Sequence, residues 1–167
     1  KRGGTFILKI FDIFKYKTVE LLYMLSCFYK EVYIMKPYTS RYANSEKYVI
    51  CKHFKYSNID YLTTKIGAML KLFKSIHNNP EYNLVSILDL DIHSYYVNSI
   101  KNINIVLGSQ QIENILYTIK LISMKDKKRD KIETIKANNI KKCIFWCSKN
   151  NINYNSLENK NSFLADK

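Results

Sequence analysis

A lysine within one apolar segment and a glutamate at the start of another have the side chains best suited to chemistry. Lys9 lies in the apolar run over residues 5–11, and Glu46 begins the segment over residues 46–53. A lysine is rarely fully buried without a partner or a task, although its stem can also reach solvent from a strand end. Position alone leaves these two interpretations of Lys9 equally open. A lysine beside a carboxylate could remove the proton of a weak acid.

The pKa of a lysine sets a requirement on that chemistry. A free lysine titrates near 10.4, so a base at neutral pH needs a pKa lowered by roughly 3 units, about 4 kcal/mol. Apolar burial or a second cation lowers the pKa, whereas a carboxylate stabilises the charged form. Glu46 is therefore expected to orient Lys9. Burial and the Glu46 charge act on the lysine pKa in opposite directions, and the sequence leaves open which of the two prevails.

The segments around this pair predict a strand, a helix and two further strands. The run over 5–11 is typical of a strand covered on both faces, and Thr18 can cap a helix that ends near residue 29. Strands follow over 31–35 and about 46–53. A helical crossover makes the first two strands parallel, and a short loop returns the third antiparallel. The predicted fold class is α/β, with a βαββ unit that closes a sheet.

This topology places the two candidate residues at one edge of the sheet. The first strand ends near Lys9 and the antiparallel third strand begins near Glu46, although they are 37 positions apart. Open α/β sheets bind ligands at the carboxyl ends of their strands. The shared edge favours a functional pair of Lys9 and Glu46 over the interpretation in which Lys9 only extends into solvent.

Two motifs in these segments carry a family resemblance. Residues 3–12 read Gly-Gly-Thr-Phe-Ile-Leu-Lys-Ile-Phe-Asp, and residues 36–52 contain Thr-Ser-Arg-Tyr-Ala-Asn-Ser-Glu-Lys-Tyr before a strand. About residues 1–56 resemble the closing half of FtsJ-like RNA ribose 2′-O-methyltransferases, most of all the Adrift-type cap-specific enzymes of eukaryotes and large DNA viruses. The resemblance implies a Rossmann-like methyltransferase sheet, S-adenosylmethionine as methyl donor, capped mRNA as substrate and a large DNA virus as source.

The resemblance also implies site residues. The family surrounds the target ribose with a Lys-Asp-Lys-Glu tetrad, in which Lys9 matches the second lysine, the proton acceptor, and Glu46 matches the closing glutamate. The residues that it places on the substrate side are Lys36, Ser40, Arg41 and Ser45.

The chain departs from the family at the cofactor site. The family's first lysine, its aspartate and its glycine-rich turn all precede the position of Gly3, and neither Gly67 nor Gly108 follows a predicted strand. We therefore expect the substrate-side part of a longer enzyme, inactive alone, whose upstream half binds S-adenosylmethionine. A non-catalytic RNA-binding subunit or decayed paralogue is one alternative, and a ribosomal or transfer RNA methyltransferase is another.

The second part of the chain has helical periodicity. Ser57 and Asp60 resemble a capping box at a helix start. Separate helices are predicted over about 91–106, which Gly108 closes, and over 110–124, and a last one over about 131–149.

The predicted domains are thus a methyltransferase half over 1–56, a helical extension over 57–149 and a flexible tail over 150–167. The simpler interpretation of the extension is that its helices brace the sheet. The alternative is an RNA-guiding surface, with aromatic side chains that could stack on a base. Its residues would be Lys125, Lys127, Lys128, Arg129, Lys141, Lys142, Phe145 and Trp146.

The charge distribution agrees with a polyanionic partner. The net charge is +13, and the excess falls in residues 1–56 and 125–167, which carry +7 and +6, while the part between them is neutral. Basic surfaces of this kind suit RNA, although an AT-rich genome also enriches lysine. We expect capped mRNA as a partner, with other capping or transcription proteins as further candidates. We expect no membrane, because no apolar run approaches about 20 residues.

The four cysteines have neither zinc-ligand spacing nor a disulfide framework, so no metal is expected. Reduced thiols, and the lack of a secretory signal before the first strand, predict an intracellular location, either host cytoplasm or virion if the protein is viral.

Overall fold

The computed structural model describes residues 1–79, 81–124, 127 and 129–154, and these form a mixed α/β structure. The first four elements confirm the βαββ order. The elements are β1 (Phe6–Ile10), α1 (Tyr16–Phe28), β2 (Tyr29–Met35), β3 (Lys47–Phe54), α2 (Asp60–His77), α3 (Ser94–Ser123) and α4 (Arg129–Lys149). The chain divides into two compact units, Lys1–Ile115 and Leu116–Lys167.

The sheet has the strand order β1-β3-β2, and β3 is antiparallel to both of its neighbours. The two strands joined by α1 therefore run in the same direction, with β3 between them. A helical crossover between β1 and β2, followed by a loop that reverses the chain before β3, produces this arrangement. In the pairing of β1 with β3, Lys9 lies opposite Tyr48 and Ile10 lies opposite Lys47. This register brings the end of β1 to the start of β3.

One face of the sheet carries the hydrophobic core. Alternate residues of β3 point to this face, because side chains alternate along a strand. Val49 and Cys51 are fully buried there. The rest of the core comes from α1, α3 and the connecting segments, and its residues are Ile13, Val19, Leu22, Ile92 and Ile100. The first half of α3 thus braces the sheet, whereas α2 has no buried residue.

The prediction that β1 is covered on both faces is wrong for the described residues. Phe6, Ile7 and Leu8 are 40%, 59% and 37% exposed. β1 lies at an edge of the sheet, and the described helices that pack on the sheet cover one face. An apolar run favours a strand, but its burial depends on a layer packed against each face.

Two helix starts differ from the predicted caps. The first helix begins at Tyr16 with Lys15 as its N-cap, so Thr18 lies inside the helix and does not cap it. The second begins at Asp60, and the backbone N–H of Asp60 donates to Asn58 Oδ1 at 2.9 Å, where Ser57 was the predicted cap. The N-cap residues are Lys15 and Ile59, and neither side chain makes a capping hydrogen bond among the described residues, so these two helices begin without the Ser or Thr cap that the sequence pattern favours.

The predicted break at Gly108 is absent, because α3 runs without interruption from Ser94 to Ser123. A glycine in a helix interior costs about 1 kcal/mol relative to alanine, which does not by itself end a helix. Of the predicted tail, residues 150–154 form a turn and an extended piece, and residues 155–167 lie outside the described residues.

A buried carboxylate ties α1 to the segment before α3. Glu20 is fully buried and accepts hydrogen bonds from Ser86 Oγ and from the backbone N–H groups of Ile87 and Leu88, the latter two at 2.9 and 3.3 Å. Burial raises the pKa of Glu20, but these hydrogen bonds outweigh it, and the pKa lies below its ordinary value. The sequence pattern gave no reason to expect this anchor.

No helix in the described ranges combines the length and apolar character that a membrane crossing requires.

Candidate active site at the sheet edge

The structure brings Lys9 and Glu46 together. Lys9 Nζ lies 3.5 Å from Glu46 Oε2, and the two side chains are 49% and 19% exposed. Lys9 is the second-to-last residue of β1, and Glu46 directly precedes β3. The ion pair therefore stands at the edge where the topology placed both residues, and Lys9 is half-exposed there.

Glu46 is fixed through both its carboxylate and its backbone. Tyr48 Oη donates to Glu46 Oε1 at 2.8 Å, and the backbone N–H of Glu46 donates to Asn44 Oδ1 at 3.1 Å. The hydrogen bond from Tyr48 lowers the pKa of Glu46, partial burial opposes this, and the charges of Lys9 and Lys36 lower it further. The net direction is downward, so Glu46 is a carboxylate at neutral pH.

The ammonium group of Lys36 donates hydrogen bonds to the loop between β2 and β3. Lys36 Nζ donates to Asn44 O, Asn44 Oδ1 and Glu46 O at 2.8, 2.9 and 3.0 Å. An ammonium group has three protons, so these acceptors use all of its donors. Burial lowers the pKa of Lys36, and the charge of Glu46 opposes that shift. The geometry makes Lys36 a brace for the loop, and its place on the substrate side, which the resemblance implies, stays a prediction.

Lys47 is the residue of this site that sequence reasoning missed. Its exposed fraction is 4%, and Lys47 Nζ donates to Phe11 O at 3.1 Å and to Ser45 O at 2.9 Å. Burial lowers the pKa of Lys47, while the charge of Asp12 raises it and that of Lys36 lowers it. The ammonium group joins the backbone just after Lys9 to the backbone just before Glu46.

A signal for Lys47 was present in the alternation of the third strand. Lys47, Val49 and Cys51 occupy every second position, and all three are buried. A lysine in phase with the inward-facing residues of a strand must find acceptors at the end of that strand.

The remaining predicted residues lie in the loop between β2 and β3. Ser40 N donates to Pro37 O at 2.9 Å, while Ser40 Oγ is buried and has no hydrogen-bond partner among the described residues. Arg41 is exposed, and Ser45 is half-buried. The loop therefore offers one unsatisfied hydroxyl and one exposed guanidinium group. Its end, with Glu46, lines a small depression together with Leu107 and Gln111 of α3.

The described residues do not fit a site for S-adenosylmethionine. The turn between β1 and α1, residues 11–15, contains no glycine, and Gly67 and Gly108 lie inside α2 and α3. A glycine-rich turn at the start of a helix is the feature that lets a backbone approach a nucleotide cofactor closely. Within the described ranges, no cluster of three or more His, Cys, Asp or Glu side chains could hold a metal ion.

Comparison with known proteins places residues 1–54 in a match to the FtsJ-like methyltransferase family. The chain is 39% identical over 90 residues to cap-specific mRNA (nucleoside-2'-O-)-methyltransferase 1 of Homo sapiens, an alignment that covers 54% of this chain and 11% of the relative. The protein of the same name in Dictyostelium discoideum is 39% identical over 92 residues, which is 54% of this chain and 12% of the relative.

A second kind of cap methyltransferase is also similar. Cap-specific mRNA (nucleoside-2'-O-)-methyltransferase 2 of Drosophila melanogaster is 47% identical over 83 residues, 50% of this chain and 11% of the relative. The chain thus spans about a tenth of the length of these relatives. Residues 1–54 thus match the FtsJ-like methyltransferase family, and about half of the chain aligns with cap-specific mRNA (nucleoside-2'-O-)-methyltransferases at about 39% identity.

Proposed function

We propose that this chain is the substrate-side part of a methyltransferase that transfers a methyl group from S-adenosylmethionine to a ribose 2′-OH at the 5′ cap of mRNA. The observation that carries the proposal is the Lys9–Glu46 ion pair at 3.5 Å. The pair lies within the segment that matches the FtsJ-like family. The names of the similar proteins support RNA as the substrate and the cap as the place of modification.

In this proposal Lys9 takes or steers the proton that leaves the 2′-OH, and Glu46 holds the Lys9 side chain in place. The ion pair supports the orienting role of Glu46, because a carboxylate stabilises the charged form of a lysine. The half-exposed position of Lys9 leaves its Nζ atom open to a substrate hydroxyl, which a neutral amine would deprotonate and an ammonium group would orient by donating a hydrogen bond to its oxygen. Most of the acceleration comes from holding the reacting groups in line.

The cofactor belongs to a part of the protein beyond these residues in the same proposal. A longer chain would supply the first lysine, the aspartate and the glycine-rich turn of the family. Two features support this: the outer edge of β1 is unpaired among the described strands, and its apolar residues Phe6, Ile7 and Leu8 are exposed. A preceding strand would pair with this edge, and helices packed on the larger sheet would cover those side chains.

The test is Lys9→Ala in the complete protein, with methyl transfer to capped RNA and RNA affinity both measured. We expect transfer to fall by at least about 100-fold, the usual contribution of a positioned acid or base, with RNA affinity nearly unchanged. Lys52→Ala is the matched control, because Lys52 is exposed on the same sheet face and its Nζ lies 5.5 Å from the centroid of the Tyr33 ring. Equal activity of Lys9→Ala and the wild type would remove Lys9 from the mechanism.

The same assay separates the alternatives. Preference for uncapped ribosomal or transfer RNA over capped transcripts would indicate a different RNA class. RNA binding by the complete protein without transfer to any RNA would indicate a non-catalytic subunit or decayed paralogue.

A further inference from the structure

The helix α4 has a polar side on which basic residues and an aromatic ring line up. Successive helical residues are about 100° apart, so Lys131, Lys142, Phe145 and Lys149 fall within about 60° of one another around the axis. These four residues are named the basic stripe. All four are exposed, and Phe145 is 67% exposed. At about 1.5 Å per residue the basic stripe extends for about 27 Å.

The acidic residues of α4 lie off the basic stripe. Glu133 points to another side of the helix, where its Oε1 pairs with Lys136 Nζ at 2.8 Å, and Asp130 lies about 100° from Lys131. Within the described part of the chain, neither Lys142 nor Lys149 forms an ion pair. Three lysines of α4 that form no ion pair among the described residues thus share one side, whereas Arg129 and Lys141 lie about 160° and 80° from Lys131 around the axis.

Packing does not account for the basic stripe. The half-buried Ile135 and Trp146 lie about 20° and 40° from Lys142 and border the basic stripe, whereas Ile132, Ile140 and Ile144 lie about 80° or more from every stripe residue and explain the apolar face of α4. Phe145 points away from them, among lysines. A second aromatic ring is close by, because Lys131 Nζ lies 5.7 Å from the ring centroid of Tyr117, which is itself exposed.

We propose that the basic stripe binds single-stranded RNA, with lysines on successive phosphates and Phe145 stacked on a base. Exposed lysines release counterions when they neutralise phosphates, and an aromatic ring stacks on any base without reading its sequence. The proposal keeps Lys142 and Phe145 from the surface expected from sequence and adds Lys131 and Lys149, which share their helix side. Of that expected surface, Lys125 and Lys128 lie outside the described residues, and Trp146 is half-buried. The choice of RNA over DNA rests on the proposed function.

The test measures binding of an uncapped, labelled RNA of about 20 nucleotides to the full chain by fluorescence anisotropy, at several salt concentrations. Removing both charges in Lys142→Ala/Lys149→Ala is expected to weaken binding about tenfold and to make the plot of log affinity against log salt shallower by about 1.4. Phe145→Ala is expected to weaken binding about fivefold or more without changing that slope, and Phe145→Tyr to restore affinity.

Lys136→Ala is the matched control, because it removes one lysine of the same helix whose charge is already paired with Glu133. It is expected to leave affinity and slope unchanged. The proposal is overturned if the control weakens binding as much as the stripe variants, if the stripe variants bind like the wild type, or if the chain binds anionic vesicles and not RNA. Circular dichroism confirms that each variant is folded.

The outcomes separate this inference from the proposed function. If the stripe variants lose RNA binding but the complete protein transfers no methyl group, the RNA-binding inference is supported and the methyltransferase proposal is rejected. If the complete protein transfers the methyl group but the stripe variants bind RNA like the wild type, the methyltransferase proposal is supported and the RNA-binding inference is rejected.

Discussion

The buried ammonium group of Lys47 gives the sharpest test of how the site is held together. Its two hydrogen bonds, at 3.1 Å to Phe11 O and 2.9 Å to Ser45 O, connect the ends of the segments that carry Lys9 and Glu46. Lys47→Met keeps most of the volume of the side chain and removes both donors. The carbonyl groups of Phe11 and Ser45 then lose their charged partner.

The expected cost follows from two opposing contributions. Each hydrogen bond to a charged group contributes about 1.5–3 kcal/mol. Removing a buried charge offsets part of this loss of free energy, because burial is unfavourable for the ammonium group and lowers the pKa of Lys47. We expect Lys47→Met to lower the free energy of unfolding by about 2 kcal/mol, which shifts the urea midpoint by about 1 M for a chain of this size.

The assay is urea unfolding of the same chain at pH 7, followed by circular dichroism, with Lys52→Met as control. Lys52 is on the same strand but exposed, so its substitution is expected to change the unfolding free energy by less than about 1 kcal/mol. A Lys47→Met variant as stable as the control, or more stable than the wild type, would refute the reasoning, because the two carbonyl groups would then not need the ammonium group.

Two further predictions concern positions outside the site. Glu20→Gln is expected to make the free energy of unfolding less dependent on pH at acidic pH. The pKa of the Glu20 carboxyl is lowered in the folded chain. The stability that the carboxylate contributes is therefore present above its ordinary pKa, and it is lost as the pH falls through the pKa of the folded state. Urea midpoints between about pH 3 and 6 check this, and equal slopes for variant and wild type would contradict it. Gly108→Ala is expected to raise the free energy of unfolding by up to about 1 kcal/mol, because Gly108 lies inside α3 and nothing lies within 4 Å of an added Cβ atom. A fall in the thermal midpoint would mean that α3 is broken at Gly108.

The sequence by itself determined the order of the elements and the meeting of the proposed pair. Alternating and continuous apolar segments predicted three strands and a crossover helix, and chain direction alone placed Lys9 and Glu46 at one edge. Such a prediction works because strand direction and connection length are local properties, and they restrict the topology to few possibilities.

Only the tertiary structure decided which polar groups hold that edge. The alternation of β3 puts Lys47 in phase with buried residues, but no local pattern shows that its acceptors are Phe11 O and Ser45 O or that Lys36 braces the loop. Glu20 is likewise buried by a segment 66 positions away. Burial of a charged group depends on acceptors and donors that arrive from distant parts of the chain, and no local pattern encodes where they arrive.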